Sequence, residues 1–295
     1  MKLAAIDIGS NAVRLLICRA HQTADDIVLK KEELLRIPIR LGEDVFINGN
    51  ISDEKSNRLI KAMKAFKNVM ELFDVEAFRA CATSAMRDAS NSAEVIAKIK
   101  SDSEIDIELL SGGDEARLIY ENHIADHFSN DYAYLYIDVG GGSTELTLYS
   151  KSKMVFSRSF DIGTIRYLFN QVSKETLTDF KQFIKYNTEE YQPIIAIGSG
   201  GNINKIEKIL DKKGSRSLTF EKISDLYDEL KGLTIEQRME KYGMKSDRAD
   251  VIVPAAKIFM TVMKYAGIHR IVIPEIGLAD GIIHRLFEER QKFNA

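Results

Sequence analysis

The sequence predicts an α/β protein made of two similar halves. A signature of strand, turn and strand at Ile6–Gly9 (Ile-Asp-Ile-Gly) recurs at Ile137–Gly140 (Ile-Asp-Val-Gly), close to the middle of the 295 residues. Apolar strand-like runs alternate with helix-period segments along the chain, which is typical of α/β folds. We therefore expect one domain over residues 1–122 and a second over residues 123–295, flanking a cleft. The last helix, at about 278–291, could pack back on the first domain.

In the first domain, apolar runs predict strands and a period of 3.6 residues predicts helices. The clearest helix follows Ser52, a suitable N-cap, and carries apolar residues such as Leu59 and Phe66 on one face. Glycines at both ends of Gly42–Gly49 suggest a loop. The expected order is strands at 3–8, 13–18 and 27–39, the loop, a helix at 52–72, a strand at 77–82, a helix at 92–99, a strand at 105–110 and a helix from Asp114 to about His127.

The second domain is expected to repeat this alternation. Its strands are predicted at 132–137, 145–149, 154–160, 194–197 and 269–273. Its helices are predicted from 163 to 169, from 174 to 190, after Asn202 to about Leu210, and at 220–231, 235–242, 251–265 and 278–291. Pro254 falls in the first turn of its helix, where proline is tolerated.

The amino-acid composition limits which kinds of protein and which partners are expected. A hydrophobic content of 45%, a charged content of 29% and a net charge of -3 are ordinary for a soluble globular chain. We expect no nucleic-acid or membrane partner, because nothing in the net charge attracts polyanions and no apolar run approaches the roughly 18 residues of a membrane span. Met1 leads directly into a strand rather than a signal peptide, and Cys18 and Cys81 look like core thiols. These features favour the cytoplasm.

The glycine-rich stretch Asp138–Glu145 is the strongest candidate for chemistry. Three glycines between two strands leave backbone N–H groups uncovered, and a nest of such groups can bind an anion. Asp138 and Glu145 flank the turn and could supply oxygen ligands to a hard cation such as Mg²⁺. The alternative is an ordinary glycine-rich hairpin. Further glycine turns at Gly9 and Gly198–Gly201 could supply more donors, and no Walker A pattern is present.

Five ordered motifs resemble those of the exopolyphosphatase/guanosine pentaphosphate phosphohydrolase (Ppx/GppA) family, in its short two-domain form. The motifs cover essentially the whole chain and lie at Asp7–Asn11, Ala82–Arg87, Ser111–Ile119, Asp138–Glu145 and Gly198–Asn202. The resemblance implies a duplicated actin-like, ribonuclease-H-like fold, shared with sugar kinases and Hsp70 ATPases. It also implies Mg²⁺-dependent hydrolysis of a terminal phosphoanhydride in inorganic polyphosphate or in guanosine pentaphosphate (pppGpp).

The resemblance and elementary chemistry together suggest roles for particular residues. Asp7, Asp138 and Glu145 are the expected ligands of Mg²⁺, directly or through water. The glycine turns and two arginines would bind phosphate. The expected phosphate-binding residues are Gly9, Ser10, Asn11, Arg87, Gly140, Gly141, Gly142, Ser143, Gly198, Gly200, Gly201 and Arg248.

Glu115 matches the catalytic glutamate of the family and would be the general base for the attacking water. Without the resemblance, it would be interpreted as an acidic residue favoured by the dipole at a helix start. Arg87 could equally be a surface arginine ahead of a helix. Lys205, Lys208 and Lys212 share one helix face, which would be either a track for a polyanionic chain or a solvated surface.

Two departures from the family pattern affect the expected phosphate contacts and the expected substrate. Ala12 follows Asn11 where many members have a hydroxyl residue, so one phosphate donor is missing. The chain also ends near Ala295, before the C-terminal helical domain of longer members, which favours short polyphosphate or pppGpp and a homodimer that extends the groove. The alternatives within the same fold are an ATP-binding assembly or chaperone-like protein and a sensor that binds polyphosphate or an alarmone without turnover.

Overall fold

The computed structural model describes residues 1–23, 27–120, 129, 131–151, 153–211, 214–274 and 277–294. The chain forms two compact units, the first from residues 1–124 and 277–295 and the second from residues 125–276. The expected boundary between residues 122 and 123 lies outside the described residues, as does the end of the helix predicted to reach His127. Within the described chain, no helix is both long and apolar enough to cross a lipid bilayer.

The first unit is a mixed sheet with helices. Its strands are β1 (Lys2–Ile8), β2 (Val13–Gln22), β3 (Ile27–Ile37), β4 (Ala77–Ala82) and β5 (Ile107–Leu109). Its helices are α1 (Leu41–Asn48), α2 (Asp53–Leu72), α3 (Ser84–Asp88), α4 (Ser92–Ser103), α5 (Gly112–Tyr120) and, from the C-terminal segment, α13 (Leu278–Asn294). The sheet has the order β3-β2-β1-β4-β5, with β1 antiparallel to β2 and parallel to β4.

The second unit is also a mixed sheet with helices. Its strands are β6 (Ala133–Val139), β7 (Thr144–Ser150), β8 (Lys153–Phe160), β9 (Ile194–Ser199), β10 (Ser217–Thr219) and β11 (Arg270–Val272). Its helices are α6 (Thr164–Leu168), α7 (Lys174–Thr188), α8 (Gly201–Leu210), α9 (Phe220–Lys231), α10 (Ile235–Tyr242), α11 (Ser246–Ala249) and α12 (Ile252–Tyr265), with a short 3₁₀ turn at Glu189–Tyr191.

The two sheets share one topology. The order β8-β7-β6-β9-β11 in the second unit repeats β3-β2-β1-β4-β5 in the first, and β10 is added beyond β11. In both units a β-meander of three antiparallel strands leads, through its first strand, to parallel neighbours. The duplication predicted from the two Asp-Gly signatures is therefore visible strand by strand.

Each unit has its own core. In the first, Leu3, Cys81 and Leu16 pack with Ile283 and Phe287 of α13, so the last helix belongs to this unit. In the second, the inward residues of β6 and β7 pack against helices. Its fully buried members include Leu135, Ile137, Leu146, Leu148, Ile203 and Phe259. Burial raises the pKa of both the Cys18 and Cys81 thiols to about 12, which fits the predicted core thiols.

The loop predicted at Gly42–Gly49 is wrong, because helix α1 occupies this stretch. Leu41, Val45 and Phe46 form a buried stripe at helical spacing, and Gly49 is the left-handed C-cap, donating its N–H to Val45. The glycine at the start misled the prediction. The short elements α3, α11 and β10 were not predicted, since segments of three to five residues show no measurable periodicity.

Candidate functional site

The two acidic residues of the central motif lie directly opposite each other on β6 and β7. Asp138 pairs with Glu145 across the antiparallel ladder, so both side chains stand on the same face of the sheet. Each offers a carboxylate oxygen within 4.8 Å of the other. Glu145 is buried and accepts a hydrogen bond of 2.8 Å from Ser159 Oγ on β8. Two adjacent carboxylates with fixed positions fit the oxygen ligands that Mg²⁺ requires.

The glycine turn between these strands is held from behind by the start of α6. Its carbonyl groups face this helix and accept hydrogen bonds from it. The bonds run from Thr164 N to Gly140 O (3.0 Å), from Ile165 N and Arg166 N to Gly141 O (2.8 and 3.3 Å), and from Arg166 Nε to Gly142 O (2.8 Å). All three glycine carbonyls are thus satisfied on one side of the turn.

The amide groups of the turn consequently point the other way. In a planar trans peptide, the N–H of a residue is antiparallel to the carbonyl of the residue before it. The N–H groups of Gly141, Gly142 and Ser143 therefore face away from α6, and none of them donates a hydrogen bond within the described part of the chain. Successive backbone amides of this kind are the groups from which an anion-binding nest is built.

The corresponding turn of the first unit is built in the same way. Gly9 N donates to Ala12 O (3.2 Å), just as Gly140 N donates to Ser143 O (2.9 Å). The N–H groups of Gly9 and Gly140 are thus used to close the turns. They are therefore not the phosphate donors that the sequence predicted at these two positions.

The carbonyls of this first turn are also held from one side. Ser10 O accepts from Gly42 N (2.8 Å) and Asn11 O from Arg40 N (3.0 Å). By the same peptide geometry, the amides of Asn11 and Ala12 point away from the α1 side.

Asp7 lies at the end of β1 and is engaged by an arginine that was not predicted to belong to a site. Its Oδ2 lies 2.5 Å from Nη1 of Arg14, which is its ladder partner on β2. Asp7 is buried, and a cation bound there would have to compete with this ion pair. The sequence contained the signal, because the residue opposite Asp7 in a two-stranded hairpin can be counted from the turn.

Ser10, Arg87 and Glu115 lie at the ends of elements in the first unit. Ser10 Oγ shares a hydrogen bond of 2.8 Å with Ser84 Oγ at the start of α3, and both hydroxyls are buried. Arg87 donates from Nη1 to Leu110 O (2.8 Å), tying α3 to the chain after β5. Glu115, in the first turn of α5, is buried, although a helix-start acid is ordinarily solvated.

The turn that follows β9 brings the backbone close to Asp138. Gly200 has a φ of 95°, and a side chain there would place Cβ only 2.9 Å from Asp138 Oδ1. Gly198 faces the core instead, where a Cβ would lie 2.8 Å from Ile271. A requirement for packing therefore accounts for the glycine at position 198, and close approach to a carboxylate accounts for the one at position 200.

Arg248 lies against the N-terminus of α8. Its Nη1 donates to Asn202 Oδ1, and its Nη2 is 2.8 Å from the point a Cβ of Gly201 would occupy. Helix α8 has no side-chain cap at Gly200, so its first N–H groups and the guanidinium bring positive potential to one place. Asn202, which orients Arg248, was not among the predicted site residues.

The basic face of α8 is only partly available to a ligand. Lys205 Nζ donates to Tyr242 O (2.7 Å), whereas Lys208 is exposed. Lys212 lies outside the described residues. The interpretation as a continuous basic track is weakened by the use of Lys205 in a structural hydrogen bond.

Comparison with known families decides the assignment. The model of the Ppx/GppA phosphatase family matches residues 27–290. The chain belongs to the Ppx/GppA phosphatase family. The predicted family and the prediction of an enzyme that hydrolyses phosphate bonds are thereby confirmed.

Three curated relatives show the range of this Ppx/GppA family. The chain is 30% identical to a bifunctional 3-dehydroquinate synthase/phosphatase of Fusobacterium nucleatum, covering 92% of this chain but only 44% of that protein. It is 24% identical to exopolyphosphatase 1 of Mycobacterium tuberculosis, covering 97% and 88%. It is also 24% identical to a guanosine-5'-triphosphate,3'-diphosphate pyrophosphatase of Aeromonas hydrophila, covering 96% and 59%. The chain thus spans less than half of the first of these relatives.

Solved structures show the same fold. An exopolyphosphatase from Cytophaga hutchinsonii superposes with a TM-score of 0.82 at 24% identity, covering 98% of each chain. The Aquifex aeolicus member of the Ppx/GppA family gives 0.74 at 24% identity, covering 100% of this chain and 99% of that one. With the duplicated sheet topology, these matches confirm the predicted duplicated, actin-like α/β fold.

Proposed function

We propose that this protein is a Mg²⁺-dependent phosphoanhydride hydrolase. It would release the terminal orthophosphate of inorganic polyphosphate, favouring short chains, and would also convert pppGpp to ppGpp. The observation that carries the proposal is the pair Asp138 and Glu145 beside a glycine turn whose amides face away from α6. The relatives named exopolyphosphatase and guanosine pyrophosphatase support this substrate class.

In this proposal, Asp138, Glu145 and Asp7 hold the Mg²⁺ ion, directly or through water. A bound Mg²⁺ would neutralise phosphate charge and orient the terminal group. The carboxylates Asp138 and Glu145 are near enough to share one ion. Asp7 is paired with Arg14 and would bind the ion when Arg14 turns from the carboxylate towards the phosphate. Asp7 would then bind the cation, and Arg14 would bind the anion.

The phosphate groups would be bound by backbone amides and arginines. Amides after Gly140 in the second unit and after Gly9 in the first would contact the terminal phosphates, with the hydroxyls of Ser10 and Ser143 and the amide of Asn11 nearby. Gly200, Gly201 and Arg248 would bind a further phosphate at the start of α8, and Arg87 another in the first unit. Such donors suit a transition state with charge spread over the phosphoryl oxygens.

Glu115 would act as the general base. It accepts a proton from the attacking water while the water oxygen forms a bond to the terminal phosphorus and the anhydride oxygen leaves with its electron pair on the penultimate phosphate. The base then releases its proton with the orthophosphate product. Burial of Glu115 at the start of α5 supports a role beyond that of a solvated helix-start acid.

The proposal is tested by measuring orthophosphate release from tripolyphosphate, long polyphosphate, pppGpp and ATP side by side. We expect release from tripolyphosphate or pppGpp with Mg²⁺ and none after chelation with EDTA. Selective turnover of ATP would favour the assembly or chaperone alternative, and binding without any release would favour the sensor. Either result would contradict the proposed hydrolase.

A further inference from the structure

We propose that Gly163 and Arg166 form a buttress that sets the phosphate-facing orientation of the Gly140–Gly142 turn, with Arg166 as a positioning residue. This inference rests on the proposed function, because it concerns how the same turn binds phosphate. Neither residue belongs to the five motifs that carry the family resemblance. Gly163 is the N-cap of α6, directly after the loop that follows β8, and Arg166 lies in the first turn of α6.

The first observation is that this segment satisfies every carbonyl of the turn. Successive amides of Thr164, Ile165 and Arg166 donate to Gly140 O and Gly141 O, and the Arg166 side chain completes the set at Gly142 O. A rotation of any of these peptides would break a hydrogen bond behind the turn as it moved an amide at the front. The turn therefore holds its donors in place before any ligand arrives, which reduces the cost of ordering on binding.

The second observation is that Gly163 lets this segment approach the turn more closely than any other residue could. A Cβ at position 163 would lie 2.3 Å from Gly141 O and 2.4 Å from the carbonyl carbons of Gly141 and Gly142. All three atoms belong to the backbone and cannot rotate aside. The close packing of the start of α6 against the glycine turn therefore requires glycine at position 163.

The third observation concerns charge. The guanidinium of Arg166 donates at Gly142 O, the carbonyl of the peptide whose N–H belongs to Ser143. A cation at the carbonyl oxygen polarises the peptide and makes its N–H a stronger donor. The Arg166 side chain is 15% exposed, whereas its ion-pair partner Asp161, at 3.5 Å, is 73% exposed, so that pair adds little. The hydrogen bond from Arg166 Nε to Gly142 O is therefore the contact by which this side chain acts on the turn.

The test compares Arg166→Ala and Arg166→Lys with Arg158→Ala, a matched control. Arg158 pairs with Asp179 and stacks on Phe160 in the same unit, and among the described residues no hydrogen bond or ion pair joins it to the turn. The amide signals of Gly141, Gly142 and Ser143 are followed by NMR during titration with tripolyphosphate in EDTA, and kcat and KM are measured with Mg²⁺. Loss of a charge-assisted hydrogen bond corresponds to roughly a tenfold or larger effect.

We expect Arg166→Ala to weaken tripolyphosphate binding and raise KM by about tenfold, and added guanidinium to restore part of the loss. Arg166→Lys should fall between Arg166→Ala and the wild type, since it keeps the charge but lacks the planar Nε donor. Arg158→Ala should match the wild type. Circular dichroism establishes that each variant is folded, and if Arg166→Ala is not, Arg166→Lys carries the test alone.

The outcomes separate the buttress from the proposed function. If the wild-type amides do not respond to tripolyphosphate, the phosphate role of the turn is wrong and the proposed function fails with it. If they respond, and folded Arg166 variants bind and turn over as the wild type does, the buttress is wrong while the proposed function stands.

Discussion

Glu145 is a buried acid beside a second acid, and this arrangement is unfavourable unless a cation is bound. A carboxylate oxygen of Asp138 lies within 4.8 Å of one of Glu145, and Ser159 Oγ donates a hydrogen bond to Glu145 Oε1. We predict that Glu145→Gln lowers phosphate release by at least about 10²-fold. Without Mg²⁺ the same variant should be no less stable than the wild type, because like-charge repulsion is removed.

The measurement is thermal unfolding with and without Mg²⁺, combined with turnover over a range of Mg²⁺ concentrations. A ligand that binds only the folded state raises Tm, so Mg²⁺ should stabilise the wild type more than Glu145→Gln. Ser159→Ala is the control, since it removes the hydrogen bond but keeps both carboxylates. Equal stabilisation of the wild type and Glu145→Gln by Mg²⁺ would rule Glu145 out as a ligand.

Glu115 and its neighbour Asp114 offer a direct contrast at the residue scale. Asp114 is exposed, and a hydrogen bond from Ser111 holds its pKa below the usual range, while Ser111 Oγ accepts from Asp114 N at the start of α5. We predict that Glu115→Gln lowers kcat by at least about 10²-fold while substrate binding survives. Asp114→Asn should keep kcat within about twofold and lose only about 0.5–1 kcal/mol of stability. Near-normal kcat in Glu115→Gln would assign the base elsewhere.

At the scale of elements, the sequence predicted the strands that flank both glycine turns. It did not predict the groups that donate hydrogen bonds to the carbonyls of these turns. Alternating and apolar runs indicated β1, β2, β6 and β7, and the Asp-Gly spacing located their turns. The groups that hold the carbonyls come from Arg40 and Gly42 in one unit and from Thr164–Arg166 in the other. These are mainly backbone amides some twenty or more residues away, and a backbone amide has no sequence signature.

Helix α1 illustrates the same limit, because contacts with a distant lysine add to its buried apolar stripe and its glycine C-cap. Lys55 of α2 is buried and contacts Glu43 (3.0 Å), Asp44 (2.8 Å) and the carbonyl of Arg40 (2.6 Å). A lysine at this position of α2 would be expected to be solvated. Its burial links α2 to α1 and, through Gly42, to the turn at Ser10.

A pH prediction follows for this link between α1 and α2. Partial burial acts to raise the pKa of Asp44, but hydrogen bonds from Lys55 and Ser52 outweigh it and hold the pKa below its usual value. A depressed folded pKa contributes stability above the unfolded pKa of about 3.9, and this is lost as pH falls through the folded pKa. Asp44→Asn should therefore cost about 1–2 kcal/mol at neutral pH and progressively less in acid.

This prediction is checked by urea unfolding of the wild type and Asp44→Asn at several pH values between 7 and 3. The difference in unfolding free energy should shrink as pH falls below the unfolded pKa. A difference that stays constant over this range would mean that the loss comes from side-chain packing and not from the charge of Asp44.

At the scale of the whole molecule, duplication was the most predictable property, and the unit to which the last helix belongs was the least predictable. The repeated signature predicted two similar halves, and the shared strand order bears this out. The sequence allowed the last helix to pack back on the first domain, but no local pattern decides the matter, because the apolar stripe of α13 would suit either core. Only the burial of Ile282, Ile283 and Phe287 beside Leu3 and Cys81 assigns it.

The first unit is therefore discontinuous in sequence, and its stability should depend on the C-terminal helix. Phe287 is 1% exposed in the core beside β1, and removing its ring would leave a cavity. We predict that Phe287→Ala costs about 3–5 kcal/mol and raises hydrogen exchange in β1 and β4. Leu72→Ala is the control, because Leu72 is 78% exposed and should cost less than about 0.5 kcal/mol. Amides of β6 and β9 should keep their protection, since the second unit has its own core; equal loss in both sheets would show that the two cores unfold as one.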